Sequence, residues 1–349
     1  MLQMVDEGRT PAHWAARNNH LPARSLAASS ELEPPIQIAL INNMPDPALE
    51  DTESQFFDLL EKAAGRFPVR VKLYSLPTIP RGGRGKQHLK NFYWDLDDLW
   101  GSRFDGVIIT GTEPRQANLR EEPYWPTMVD VFDWAEKHTA STVFSCLAAH
   151  AVVLHRDGIS RHPLADKQFG IFDERRERDH LLTSGTSEHM RFPHSRWNEL
   201  REDALISCGY SVLTKSKEAG VNLFVKMTKK SLFVHFQGHP EYSAGTLAKE
   251  YRRDVRRFLR QERQTYPSMP HGYFDATAAR ALSEFKEWAL SRPHEGLMTK
   301  FPEAAVLDNG GENPWRTVAV RIYRNWLQYV VSERTARTAC ATAARTGSR

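Results

Sequence analysis

Four short strand candidates in the first half of the chain, most of them apolar runs and one, Val69–Tyr74, alternating, point to its fold class. Ile36–Ile41, Val69–Tyr74, Phe104–Thr110 and Thr142–Ser145 each have the length of a strand. The intervening and following stretches carry apolar residues at helical spacing. One passes through Gln55, Phe56, Leu59 and Leu60, a second covers Trp125–His138, and a third covers Leu147–His155. Strand and helix in alternation predict a mostly parallel sheet covered on both faces, an α/β architecture.

From about residue 165 the rhythm changes to strand candidates in succession: 168–172, 210–213, 222–226 and 231–236. A helix is expected over 244–262, with Leu247, Tyr251, Val255, Phe258 and Leu259 on one face, and another over Trp315–Val331. Residues 1–34 are polar and broken by prolines, and read as a loosely ordered extension. The main domain is expected over 35–332, with 263–310 irregular between short helices and 333–349 as a frayed, Ala/Thr/Arg-rich tail.

Composition narrows the function classes. At 349 residues the chain is long enough for one large domain. Its apolar runs fall short of the roughly 20 residues a membrane span needs, and the first thirty residues lack the apolar segment of a secretory signal. Three widely spaced cysteines argue for a reducing, cytoplasmic compartment rather than a disulfide framework. The net charge is only +4, and the pairs Arg252-Arg253 and Arg256-Arg257 read as a solvated helix face, so nucleic-acid binding is not expected. Metal-ligand spacings of the C-x-x-C or H-E-x-x-H kind do not occur, and no metal is expected.

The residues that carry chemistry are Cys146, His239 and Glu241. Cys146 falls between the fourth strand and the helix that follows, the setting of a nucleophile elbow, where the helix N-terminus favours a thiolate. Ala148 and Ala149 permit the close packing such an elbow needs. Pro240 holds His239 extended, so the side chains of His239 and Glu241 project to the same side. Thiol, imidazole and carboxylate together point to covalent acyl chemistry on sulfur. The turn Thr110-Gly111-Thr112 and the backbone N–H of Leu147 are candidates for an oxyanion hole.

These motifs resemble the homoserine O-succinyltransferase family. The likeness runs from Ile36 to Val331 through Asn43-Met44-Pro45, Thr52-Glu53-x-Gln55, the segment 104–111, Tyr124-Trp125-Pro126, Pro193-His194-Ser195-Arg196, the segment 238–242 and Asn325-Trp326-x-x-Tyr329. The resemblance implies a class I glutamine amidotransferase-like fold with a C-terminal helical elaboration. It implies a succinyl or acetyl group moving from acyl-CoA to the hydroxyl of L-homoserine, the first step from homoserine towards methionine. Acyl-CoA would be a co-substrate, with no bound cofactor, and the protein a homodimer. By motif, Cys146 would carry the acyl group, His239 would be the base and Glu241 its partner. Lys167, Ser195 and Arg253 would hold substrate, and Asn118 would fall at a position linked to donor choice. The chain departs from the family pattern at Leu147 and His150, where tryptophan and glutamine are usual, and in a longer 267–310 segment. Acylation of serine or another hydroxy amino acid, a glutamine-hydrolysing activity on the same fold, and a regulatory protein without turnover remain alternatives.

Overall fold

A computed structural model describes residues 2–4, 34–308 and 313–346. Its strands in chain order are β1 (Leu2–Met4), β2 (Ile36–Ile41), β3 (Val69–Tyr74), β4 (Gly106–Ile109), β5 (Ser141–Ser145), β6 (His162–Arg176), β7 (His189–Glu199), β8 (Ser211–Val212), β9 (Thr214–Ser216), β10 (Gly220–Val221), β11 (Leu223–Met227) and β12 (Leu232–Phe236). The helices are α1 (Asp46–Ala64), α2 (Gly83–Phe92), α3 (Leu96–Gly101), α4 (Trp125–His138), α5 (Leu147–Asp157), α6 (Glu202–Ser207), α7 (Thr246–Leu259), α8 (Ala276–Ser291), α9 (Glu303–Asp308) and α10 (Arg316–Thr346).

Eight strands form one sheet in the order β1-β3-β2-β4-β5-β12-β11-β8. The first six run parallel, β11 runs antiparallel to them, and β8 at the edge pairs antiparallel with β11. The pleat explains the unbroken apolar runs. Ile36, Ile38 and Leu40 of β2 enter one core with Phe56, Leu60 and Trp326, while Ala39 and Ile41 enter the other with Phe132, Phe144 and Val152. A strand buried on both faces favours apolar residues at successive positions. Helices α1 and α10 belong to the first face, α4 and α5 to the second.

Trp326 packs against β4, where a Cβ at Gly106 would stand 2.9 Å from its ring. Only glycine leaves room for it there. The indole is 1% exposed. Burying 150–250 Å² of aromatic surface is worth roughly 4–6 kcal/mol. Its Nε1 also donates to Ser141 Oγ at 2.9 Å, so α10 is fixed to the sheet by packing and by a buried hydrogen bond.

A second, four-stranded antiparallel sheet has the order β10-β9-β6-β7. Its long β6–β7 hairpin has a register shift between Pro163 and Gln168, which frees Lys167 from the ladder. Three features differ from the sequence-based expectation. Residues 2–4 add a strand to the sheet edge, and 5–33 lie outside the described residues. The 263–310 segment contains the 16-residue helix α8. The C-terminal helix does not fray near 333 but continues to Thr346.

Candidate active site

The site is built at the carboxyl ends of the parallel strands, beginning with a sharp turn. Cys146 sits between β5 and α5 with φ 49° and ψ −108°, one of two non-glycine residues with positive φ among those described. Such a conformation costs on the order of 1–3 kcal/mol. The surroundings hold it: the Cys146 N–H donates to the Phe236 carbonyl at 2.8 Å, and its own carbonyl accepts from the N–H groups of Ala149 and His150. Ala148 and Ala149 are fully buried, so α5 seats close to the sheet and leaves the half-buried thiol at its N-terminus.

His239 reaches the thiol from the neighbouring strand, β12. The chain leaves β12 at Phe236, and a polar frame fixes the next residues. Gln237 accepts from Leu200 N–H at 2.8 Å and meets His150 Nε2 at 3.0 Å, and Gly238 N–H donates to Asn222 Oδ1 at 2.7 Å. His239 N–H donates to the Pro193 carbonyl. Asn222 is anchored in turn by buried Glu174, which also meets Thr214 and His194. The imidazole stacks on Tyr242, with ring centroids 4.3 Å apart. Its Nδ1 lies 2.9 Å from Glu241 Oε1, which also accepts from Ser145 Oγ at 3.1 Å. With Nδ1 committed to the carboxylate, the other nitrogen serves the hydrogen bond to Cys146. Burial disfavours charge on this ring, but Glu241 and Cys146 outweigh it and hold His239 well above its ordinary value. His150 goes the other way. Burial first, then Arg196, pushes it down to about 3, so it is a neutral hydrogen-bonding residue.

The strand end at β4 approaches the same elbow. A Cβ on Gly111 would lie 2.5 Å from Leu147 Cβ and 3.0 Å from Leu147 N, so the two segments meet only because residue 111 is glycine. Thr110 Oγ1 accepts from Asn43 N–H at 2.8 Å and donates to the Gly111 carbonyl, which stiffens the turn.

Facing the cysteine is a charged wall. Lys167, Ser195 and Arg253, from β6, β7 and α7, converge on a residue the sequence reading did not single out, Glu250. Its Oε2 accepts from Ser195 Oγ at 2.6 Å and Lys167 Nζ at 3.1 Å, Arg253 lies 3.7 Å away, and Oε1 accepts from Tyr242. Burial would raise the Glu250 carboxyl, but Lys167, Arg253 and the two hydroxyls bring it down to about 2. Lys167 also pairs with Asp254, and Arg253 donates to the same carboxylate at 2.9 Å. Glu250, Arg253, Asp254 and Arg257 share one face of α7, beside the buried Leu247–Val255 stripe.

Together these residues line a cavity of about 490 Å³. The structure places Cys146, His239, Glu241, Gly111, Leu147, Lys167, Ser195 and Arg253 on it. Asn118 is not on it. Its side chain caps the short turn Leu119–Glu121, accepting from Arg120 N–H and donating to Glu121. Among the described residues no cluster of three His, Cys, Asp or Glu is placed to hold a metal, and no helix is long and apolar enough to cross a membrane.

The cavity thus brings a thiol, an imidazole–carboxylate pair and a cluster of paired charges together. Solved glutamine amidotransferases from Methylobacillus flagellatus (11% identity, 84% of this chain and 94% of that one, TM-score 0.44) and Thermotoga maritima (12%, 78% and 99%, TM-score 0.42) align with the chain, at a level that carries no argument. The sequence comparisons are far stronger. A protein named homoserine O-succinyltransferase from Rhodopseudomonas palustris is 42% identical over 91% of this chain and 94% of its own length. One of the same name from Bradyrhizobium japonicum is 42% identical over 84% and 90%, respectively. The family description homoserine O-succinyltransferase fits residues 5–337, and on that match and these identities the chain is an enzyme that belongs to the homoserine O-succinyltransferase family.

Proposed function

We propose that the protein transfers the succinyl group of succinyl-CoA to the hydroxyl of L-homoserine through a thioester on Cys146. The observation that carries this reading is the unbroken chain from Cys146 through His239 to Glu241, opening onto a cavity whose far wall offers both a carboxylate and a guanidinium. His239 takes the proton from the Cys146 thiol, and the thiolate attacks the thioester carbonyl of the donor. The oxygen that becomes negative lies towards the N–H groups of Leu147 and Gly111. Collapse breaks the bond to the CoA sulfur, which takes the proton from His239 and leaves as the thiol. Homoserine then enters. Arg253 holds its carboxylate, Glu250 its ammonium group, and Lys167 and Ser195 keep Glu250 in place. His239 removes the hydroxyl proton, the oxygen attacks the succinyl-cysteine, and the expelled thiolate recovers the proton. Glu241 holds the ring in the tautomer both halves need.

The test is to mix the protein with succinyl-CoA in the absence of homoserine and digest it for mass spectrometry. A succinyl mass on the Cys146 peptide, discharged as O-succinylhomoserine when homoserine is added, is the expected result. An acyl mass on Ser195 or Cys208, or release of glutamate from glutamine without acyl transfer, would overturn the reading.

A further inference from the structure

Five arginines and one lysine line the cavity, and most are already neutralised or bonded. Lys167 pairs with Glu250 and Asp254, Arg253 with the same two carboxylates, and Arg257 with Glu113. Arg196 is buried and gives its donors to the carbonyls of Asn198 and Ala219 and to His194. Arg263 folds onto Thr265. Arg161 is different. It stands in the loop between α5 and β6, and its guanidinium donates through one nitrogen to the carbonyls of Gln116 and Ala117, at 3.2 and 3.0 Å. Among the described residues no Asp or Glu is within ion-pair distance of it. The nearby carboxylate, Glu122, is taken up by the backbone N–H groups of Arg115 and Gln116.

The two carbonyls hold the guanidinium by one corner and leave the rest of its planar fork for the cavity. Arg161 lines that cavity, and its charge acts on both Cys146 and His150 at the elbow. It is half-buried, and burial lowers its proton affinity while Tyr124, Glu122 and Cys146 raise it, so it lies within electrostatic reach of the nucleophile. A half-buried guanidinium without a counter-charge has a standing need for an anion with carboxylate geometry. An acetyl donor brings none to this side of the site. A dicarboxylic donor brings one, two methylenes from the carbon that Cys146 attacks.

Resting on the acyl-transfer reading above, we propose that Arg161 selects the donor: it pairs with the free carboxylate at the far end of the acyl chain, so that dicarboxylic acyl thioesters acylate Cys146 in preference to acetyl.

The experiment is single-turnover release of CoA without homoserine, from succinyl-CoA and from acetyl-CoA, for the wild type, Arg161→Gln and Arg161→Lys. Wild type should favour succinyl-CoA. In Arg161→Gln the succinyl-to-acetyl ratio should fall on the order of 10²-fold, the usual effect of removing one partner of a desolvated charge pair. Arg161→Lys should recover part of the ratio, since charge returns without the fork. Inhibition by free CoA, measured in parallel, should not follow the acyl selectivity. An equal loss with both donors, or a loss of CoA affinity that accounts for the whole effect, would assign Arg161 to the CoA moiety or to the fold and overturn the proposal. An unchanged ratio, or a wild type that prefers acetyl-CoA, would overturn it while leaving the acyl-cysteine reading intact. A wild type whose Cys146 accepts no acyl group from either donor would remove that reading, and this proposal with it.

Discussion

Replacing Glu250 by glutamine tests whether the charged wall of the cavity is a structural unit. The side chain is 13% exposed, and its carboxyl is brought from 4.5 to about 2. That difference corresponds to roughly 3 kcal/mol of stability at neutral pH. A lowered carboxyl stabilises the fold above its unfolded value, and the contribution fades as pH falls from about 4.5 towards about 2. Glu250→Gln removes the charge but keeps the shape, and turns an amide N–H₂ towards Lys167 or Ser195. Chemical denaturation at neutral pH should therefore show a deficit of about 3 kcal/mol, with an unchanged denaturant slope. The deficit should persist down to about pH 5 and shrink below it. The same variant should raise the KM for homoserine at least tenfold and leave acylation of Cys146 nearly intact, because the acceptor is absent from that step. Equal stability of the two proteins at neutral pH, or a deficit that does not shrink in acid, would refute the electrostatic account. A first half-reaction slowed as much as full turnover would refute the assignment of Glu250 to the acceptor.

Glu241→Gln should cost on the order of 10²–10⁴-fold in turnover by analogy with orienting carboxylates in triads. Because burial opposes charge on His239 and Glu241 is the largest influence favouring it, the same change should lower the His239 titration seen by NMR of histidine-labelled protein, and an unmoved titration would remove the pair from the argument. Gly111→Ala puts a methyl 2.5 Å from Leu147 Cβ, so it should push the two turns apart and slow both half-reactions together; a loss confined to one half would show that the turn serves a substrate and not the oxyanion. Arg253→Lys should weaken homoserine use strongly, through loss of a planar fork, while single-turnover CoA release stays close to wild type.

What the sequence disclosed depended on whether the signal was local. The strand candidates revealed the parallel sheet because strands covered on both faces are mostly apolar and alternate with amphipathic helices. Cys146 was legible because an elbow compresses strand, turn and helix into a few residues, and His239 and Glu241 because proline fixes the backbone between them. Glu250 was not legible. Its meaning arises only when β6, β7 and α7 meet, and no single window of sequence contains them. Ser195 lies in β7, an edge strand, where Pro193, a residue without an N–H, is tolerated. Helix α8 was obscured by flanking prolines, although Asp275 caps it and Ala278, Leu282, Phe285 and Ala289 mark its buried face. Asn118, which the resemblance links to donor choice, caps a turn outside the cavity.

The indole N–H of Trp315, at the start of α10, donates to the Tyr242 carbonyl at 2.9 Å, and Asn313 reaches the same oxygen. Tyr242 is the residue on which His239 stacks. The turn that carries His239 is therefore braced from a distant part of the chain. A nascent chain stopped short of residue 313 would own every reactive group and still hold its imidazole on an unbraced turn. Docking of α10 therefore stiffens the turn beneath the imidazole, although Trp315 and Tyr242 stand 73 residues apart in the chain.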